Sequence, residues 1–308
     1  IYLGSPLNKL NFIDFAEFMY QFIFKKDVIL TESNLSFALK LVNRYEALGG
    51  KIYYRSSVRK IEEKNGLKDV ILENGDIYQC REVICNLSNH YIYKDLVTES
   101  IPKMNMLDHA RTLSCNSFIV YLGLNESHDV LDLNHYDYYQ FQSINSEKNV
   151  KTMKGFYHKT LEAHVPNVVN ENASPKNTTI LVLKTNYYGN VFHIDHHYEE
   201  LKEDLAQSLI REFETAFGVD ISAYIEETKI VTSLDILNDT NNPNGSIYGY
   251  MRLGYDNSIH RILSFKDEQV AGIYSVGASS IYGALVNNTF LSGYQISKWL
   301  LEGGNKHE

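Results

Sequence analysis

No phosphate-binding loop is written anywhere in this chain. Its 18 glycines form neither a G-x-G-x-x-G nor a G-x-x-x-x-G-K, so it carries no complete dinucleotide fingerprint and no Walker loop. Cysteine is scarce: Cys80, Cys85 and Cys115 are odd in number and show neither C-x-x-C nor histidine-paired metal spacing. That pattern reads as free thiols in a reducing, cytoplasmic compartment. Positive charge is thin as well. The formal net charge is -9 and the lysines and arginines are scattered, which removes the basic stripe that a nucleic-acid backbone would need. No apolar run reaches the ~18 residues of a membrane span, and no charged-apolar-small leader opens the chain. Membrane contact is therefore expected to be peripheral and transient at most.

What is present is apolar bulk. With 308 residues and 44% hydrophobic composition, the chain can bury a large core in one or two domains. The opening "IYLGSP" reads like the inside of a fold, so a fragment of a longer protein is expected. The segment 11–24, "NFIDFAEFMYQFIF", places apolar residues almost all round a helix, which implies burial against protein or a substrate cavity, with Phe15, Phe18, Met19 and Phe22 facing inward. Leu35, Leu39, Val42 and Leu48 then repeat near 3.6 before Gly49-Gly50, an amphipathic helix with a glycine C-cap. From Lys51 to Asn86 short alternating runs are broken by Asn65-Gly66 and Asn74-Gly75, as in successive hairpin strands ending in "EVICN".

Beyond Ile101 the character changes. "SCNSFIVYLGL" (114–124) and "NTTILVLKTNYY" (177–188) read as longer strands of a second domain with its own sheet, separated by a Tyr- and His-rich stretch. Residues 198–217, acidic early and apolar at Leu201, Leu205, Leu209, Ile210 and Phe213, form a helix that stops at Gly218. "NDTNNPNG" (238–245) is a loop by composition.

The chain then returns to a strand-turn-helix unit, "YSVGASSIYGALVNNTFLSG" (274–293). Its turn is not a serine nucleophile elbow, because G-x-S-x-G needs glycine where Ile281 stands. His193, Asp195 and His197 alternate and would share a strand face, yet they directly precede a helix that Asp195 can cap, so no metal site is expected. Small residues after the strand let backbone amides and a helix start approach an anion closely. The turn by itself is half of a cofactor site. The 23 tyrosines suit amphipathic cavity walls as well as a plain core.

The order "GGKIYYRSSVRKIEEKNGLKDVILENGDIYQCREVICN", a sheet-bearing middle, then "AGIYSVGASSIYGALVNNTFLSGYQISKWL" resembles the phytoene desaturase, carotenoid isomerase and retinol saturase branch of the FAD-dependent amine-oxidase-like flavoproteins. The resemblance covers most of the chain. Gly49-Gly50-x-Ile52 leading to Val58 and Ile61, the strand ending in Asn86, Thr232, Tyr248-Gly249, Gly277 and Ser292-Gly293 stand where that family has its motifs. It implies an α/β fold: a Rossmann-like FAD-binding domain, incomplete for lack of the N-terminal β-α-β unit, with an α+β substrate domain built on a mixed sheet. The FAD-binding domain would comprise residues 27–100 and 243–308, and the substrate domain residues 1–26 and 101–242.

By the same resemblance Val58 would meet the adenine through its backbone. Gly277, Ala278 and Ser279 would line the pyrophosphate and ribityl, and Val286 and Asn287 would lie by the flavin ring. Tyr248 and Tyr282 would touch an apolar, isoprenoid-type substrate. The implied chemistry is hydride transfer at flavin N5 in a desaturation, saturation or isomerisation, and no catalytic acid or base stands out. Departures are the Thr232-Ser233 pair in place of Thr-Pro, Ala278-Ser279 after the strand glycine in place of an acidic residue, and a single Gly283 in place of a double glycine. Two alternatives remain open, a cofactor-less scaffold on a degenerate flavoprotein fold and an amine oxidase-type flavoenzyme.

Overall fold

The computed structural model describes residues 12–20, 23–24, 32–97, 113–145, 148, 160–189, 198–250, 270–280, 283 and 286–303. By contact the chain divides into two compact units, one of Ile1–Met19, Tyr53–Cys115 and Ile236–Glu308, the other of Tyr20–Ile52 and Asn116–Asp235.

The first unit opens with helix α1, Phe12–Tyr20. Its described positions are more open than an all-round apolar helix implies: Phe12 is 79% exposed and Phe15 39% exposed, with Met19 half-buried. The side chain of Phe18, and Phe22 altogether, lie outside the described residues.

Strands β1 (Val58–Lys64), β2 (Leu67–Leu72) and β3 (Ile77–Cys80) form an antiparallel meander. Asn65 and Gly66 join β1 to β2 with φ of 56° and 77°. Two successive positive φ values make the two-residue turn whose twist matches a hairpin, and Asn-Gly is the pair that tolerates them. The β1–β2 register shifts between Val58 and Lys60, so Arg59 is an extra residue on its strand, a bulge.

β4 (Val83–Cys85) and β10 (Ile273–Ser275) lie side by side and parallel, with Ile273, Tyr274 and Ser275 opposite Val83, Ile84 and Cys85. Residues 86–272 separate the two segments in the chain. Parallel strands are stable when both faces are covered, and alternation along β10 provides for that. Ile273, with Val83 and Cys85, packs into a cluster containing Ile61, Ile92, Tyr93, Leu96 and Val97, with Val58 against its rim. Tyr274 and Val276 point the other way onto helix α5, Val286–Leu301, where Ile296, Trp299 and Leu300 receive them. The Tyr274 and Trp299 rings meet edge to face at 5.4 Å, the favoured aromatic geometry.

In the second unit, α2 runs from Asn34 to Ala47, capped by the Ser33 hydroxyl accepting the Ser36 amide at 3.1 Å. None of its residues is buried. A five-stranded antiparallel sheet, ordered β6-β7-β8-β5-β9, carries the core. β5 (Asn116–Leu124) and β8 (Thr179–Tyr187) pair along their full length at its centre. β6 (Asp137–Gln140), β7 (Leu161–His164) and β9 (Ile225–Val231) complete it. Phe118, Val120, Leu122, Leu124, Leu181 and Leu183 share one face and are sealed by Ala206, Leu209, Ile210 and Phe213 of helix α3, Tyr198–Phe217. The loop expected from Asn238 is helical as far as Thr240, because α4 (Ser233–Thr240) is started by Asp235 accepting the Thr232 amide and hydroxyl, each at 2.8 Å.

Candidate cofactor site

Ligands of parallel α/β sheets gather beyond the carboxyl ends of the strands. In the first unit those ends are Cys85-Asn86 after β4 and Val276-Gly277 after β10. The Val276 amide donates to the Cys85 carbonyl at 2.9 Å, which locks the two ends together one residue past the ladder. Ser88 caps the following helical turn by accepting the Tyr91 amide at 3.1 Å and donates its hydroxyl to the Asn241 carbonyl at 3.1 Å. The Ser275 hydroxyl donates to Asn89. The strand ends are thus held by hydrogen bonds between neutral groups.

Residues 277–279 make one tight helical turn after β10. Gly277 has φ +81°, and a Cβ there would lie 1.9 Å from Asn86 Oδ1. Only glycine satisfies both the left-handed backbone and this approach. The Gly277 amide donates to Ser292 Oγ at 2.9 Å, and the Ser292 hydroxyl, 1% exposed, donates to the Thr289 carbonyl at 2.7 Å. Ser292 thereby ties the turn to α5. The Ser280 hydroxyl donates back to the Gly277 carbonyl at 2.7 Å. Gly249, at φ +68°, also comes close to the turn: its absent Cβ would stand 3.8 Å from the Ala278 carbonyl. Around Gly249, the Ser114 amide donates to its carbonyl at 2.8 Å, and the Tyr248 amide donates to Ser114 Oγ at 3.1 Å.

The site residues named from sequence fall as follows. Gly277 and Ala278 form the turn, with Gly249 and half-buried Tyr248 beside it. The backbone of Ser279 closes the turn. Val286 and Asn287 begin α5 and are exposed. Val58 is on the rim of the cluster that also holds Ile273 and Cys85. Tyr282, and the His193, Asp195 and His197 run, lie outside the described residues. Sequence reasoning gave no role to the Ser114 or Asn86 side chains; the one available signal was an asparagine ending the strand.

These residues suit the middle of FAD. At the turn the space over Gly277 is taken by Asn86 Oδ1, and Ala278 adds only a methyl group. The first-turn amides of a sixteen-residue helix, α5, have no partner within the helix and carry its positive end. The Gly277 amide itself is committed to Ser292, so the turn serves by shape there. Burial, aided by the neighbouring Cys80, pushes the Cys85 thiol up to about 11, so it stays protonated and unreactive under the turn. Among the described residues no group of three or more His, Cys, Asp or Glu side chains could hold a metal.

Comparison with known proteins bears on the fold and the family. The chain matches no curated protein. Its fold is similar to a putative protoporphyrinogen oxidase from Exiguobacterium sp. 255-15, at 15% identity and TM-score 0.56, covering 86% of this chain and 51% of that one. It is similar to a UDP-galactopyranose mutase at 12% identity and TM-score 0.53, covering 80% and 46%. A putrescine oxidase variant redesigned in its cofactor binding matches at 11% identity and TM-score 0.51, covering 83% and 52%. The chain spans about half the length of these structures. At such identities the likeness shows the fold, that of the amine-oxidase-like FAD-binding proteins. The family model of the flavin-containing amine oxidoreductases matches residues 11–298; with nearly the whole chain inside that match, the protein belongs to this family, and its cofactor is FAD.

Proposed function

We propose that the protein is an FAD-dependent oxidoreductase acting on an apolar, isoprenoid or polyene substrate, by desaturation, saturation or isomerisation. The observation that carries this reading is the chemical neutrality of the turn. Asn86, Asn89, Ser275, Ser280 and Ser292 are the side chains bonded or packed there, and the Cys85 thiol is held protonated. Such a site orients a ligand without offering a titrating group. That suits reaction at an unactivated carbon, where positioning matters more than acid-base help. When bound, the isoalloxazine supplies a hydride acceptor at N5. In this reading 27–100 and 243–308 carry the cofactor, and 101–242 with 1–26 hold the substrate, Tyr248 and Tyr282 touching it. Among the described residues no helix is long and apolar enough to cross a membrane, so contact with a lipid-borne substrate would be peripheral.

A cationic amine substrate is the second reading, favoured by the face of the second unit's sheet that turns away from its core. There the Glu162 carboxylate accepts Lys184 Nζ at 2.8 Å and Asn186 Nδ2 at 3.0 Å, a polar surface foreign to a hydrocarbon tunnel.

The test uses the full natural chain. Anaerobic bleaching of its flavin band by a micellar polyene, with no response to amines, is the expected result. Amine turnover with peroxide release would transfer the assignment to the second reading, and a natural chain without flavin would leave a cofactor-less scaffold.

A further inference from the structure

We propose that Asn86 is a cofactor-binding residue whose carboxamide Nδ2–H donates to a pyrophosphate oxygen of FAD. The placement follows from the strand ends. Asn86 is the first residue after β4, fixed by the Val276 amide bonding to Cys85 next to it. Its Oδ1 fills the volume a Cβ would take on Gly277, at 1.9 Å, while its Nδ2 stands off at 3.9 Å. The acceptor end therefore faces the turn and the donor end faces away from it. Asn86 is exposed, and its side chain has no hydrogen-bond partner among the described residues.

A carboxamide that merely closed the turn would bond a carbonyl of it, as Ser280 does. This one does not. Gly277 has a left-handed backbone, and the space its missing Cβ leaves is occupied by Asn86 Oδ1. With Ser292 holding the Gly277 amide, the Asn86 carboxamide is a side-chain donor beside the turn that no described residue takes. An anion accepting from a neutral amide makes a charge-assisted hydrogen bond, stronger than one between neutral groups.

The proposal rests on the turn holding FAD, and the experiment separates the two. The full natural chain is stripped of flavin and titrated with FAD by fluorescence quenching, as wild type, Asn86→Ala and Asn86→Asp, with thermal midpoints of the flavin-free forms alongside. Asn86→Ala is expected to weaken FAD roughly tenfold or more, the range for a hydrogen bond to a charged group. Asn86→Asp should weaken it further, because a carboxylate repels phosphate. Flavin-free midpoints should stay at the wild-type value, since an exposed side chain with no hydrogen-bond partner among the described residues is being changed. Unchanged affinity in Asn86→Ala, equal affinity in the two variants, or a loss that tracks a lower flavin-free midpoint would each overturn the assignment. A wild-type chain that fails to take up FAD would refute the cofactor reading of the turn itself.

Discussion

Two serines near the turn have opposite relations to their surroundings. Ser114 Oγ accepts the Tyr248 amide in a buried position, whereas Ser246 is fully buried and its hydroxyl has no hydrogen-bond partner among the described residues. Removing an unpaired buried hydroxyl relieves a desolvation cost, and removing a paired one strands its partner. Ser246→Ala is therefore expected to leave stability unchanged or raise it by up to about 1 kcal/mol, while Ser114→Ala lowers it by about 1 kcal/mol. Urea midpoints on the same chain decide it, and a Ser246→Ala variant as damaged as Ser114→Ala would show a partner for the Ser246 hydroxyl. Neither role was legible in sequence, because a serine in a loop carries no periodic signal and the partner of Ser114 stands 134 positions along the chain.

Among the elements, strand β5, strand β8 and helix α3 were legible because their residues repeat. β8 alternates buried and half-buried at every step from Thr179 to Tyr187, and α3 keeps its core positions on one stripe to the last residue before Gly218. The edge strand β9 was not. Its sequence IEETKIV is mostly exposed, with Glu226, Glu227 and Lys229 in the pattern that keeps a sheet edge from pairing further, so alternation is lost and only β5 defines it. The parallel pairing of β4 with β10 followed from two short apolar strands needing one sheet, but the filling of the Gly277 gap by Asn86 is a contact between distant segments that no local pattern encodes. The end of α3 also offers a titration. Burial raises the Glu214 carboxyl, but the Ser222 hydroxyl and the Ile221 and Ser222 amides bond the ionised form and hold it below its ordinary 4.5. A depressed folded value means the carboxylate stabilises above the unfolded value and is lost as pH falls through the folded one. Glu214→Gln should accordingly lower the thermal midpoint at neutral pH, and the gap from wild type should close as pH drops below about 4.5. A gap independent of pH would mean that the charge contributes nothing there.

At the scale of the whole molecule, the cofactor is divided between what this chain provides and what it does not. In the proposed reading its 308 residues would offer a shaped turn at the ends of β4 and β10, the start of α5, and the rim at Val58. They contain no G-x-G-x-x-G, the element whose consecutive amides and helix start take the largest share of a dinucleotide's pyrophosphate. Nor does the turn replace it, because the Gly277 amide is spent on Ser292. What remains for the phosphates is the Ala278 and Ser279 amides, the α5 start and the donor proposed at Asn86, and a single charge-assisted hydrogen bond amounts to about 1.5–3 kcal/mol. Against that stands an ordering cost of at least about 4 kcal/mol for fixing a free ligand. These phosphate contacts do not by themselves cover that cost. The 308-residue chain, expressed by itself, is therefore expected to purify colourless and to gain little thermal stability from added FAD, even though its family is defined by flavin. A yellow preparation with near-stoichiometric flavin would show instead that the turn, the helix start and Val58 suffice for binding. The pyrophosphate would then have to be held by amides of this chain, and displacement of the Ser292 hydroxyl from Gly277 would be the first place to look.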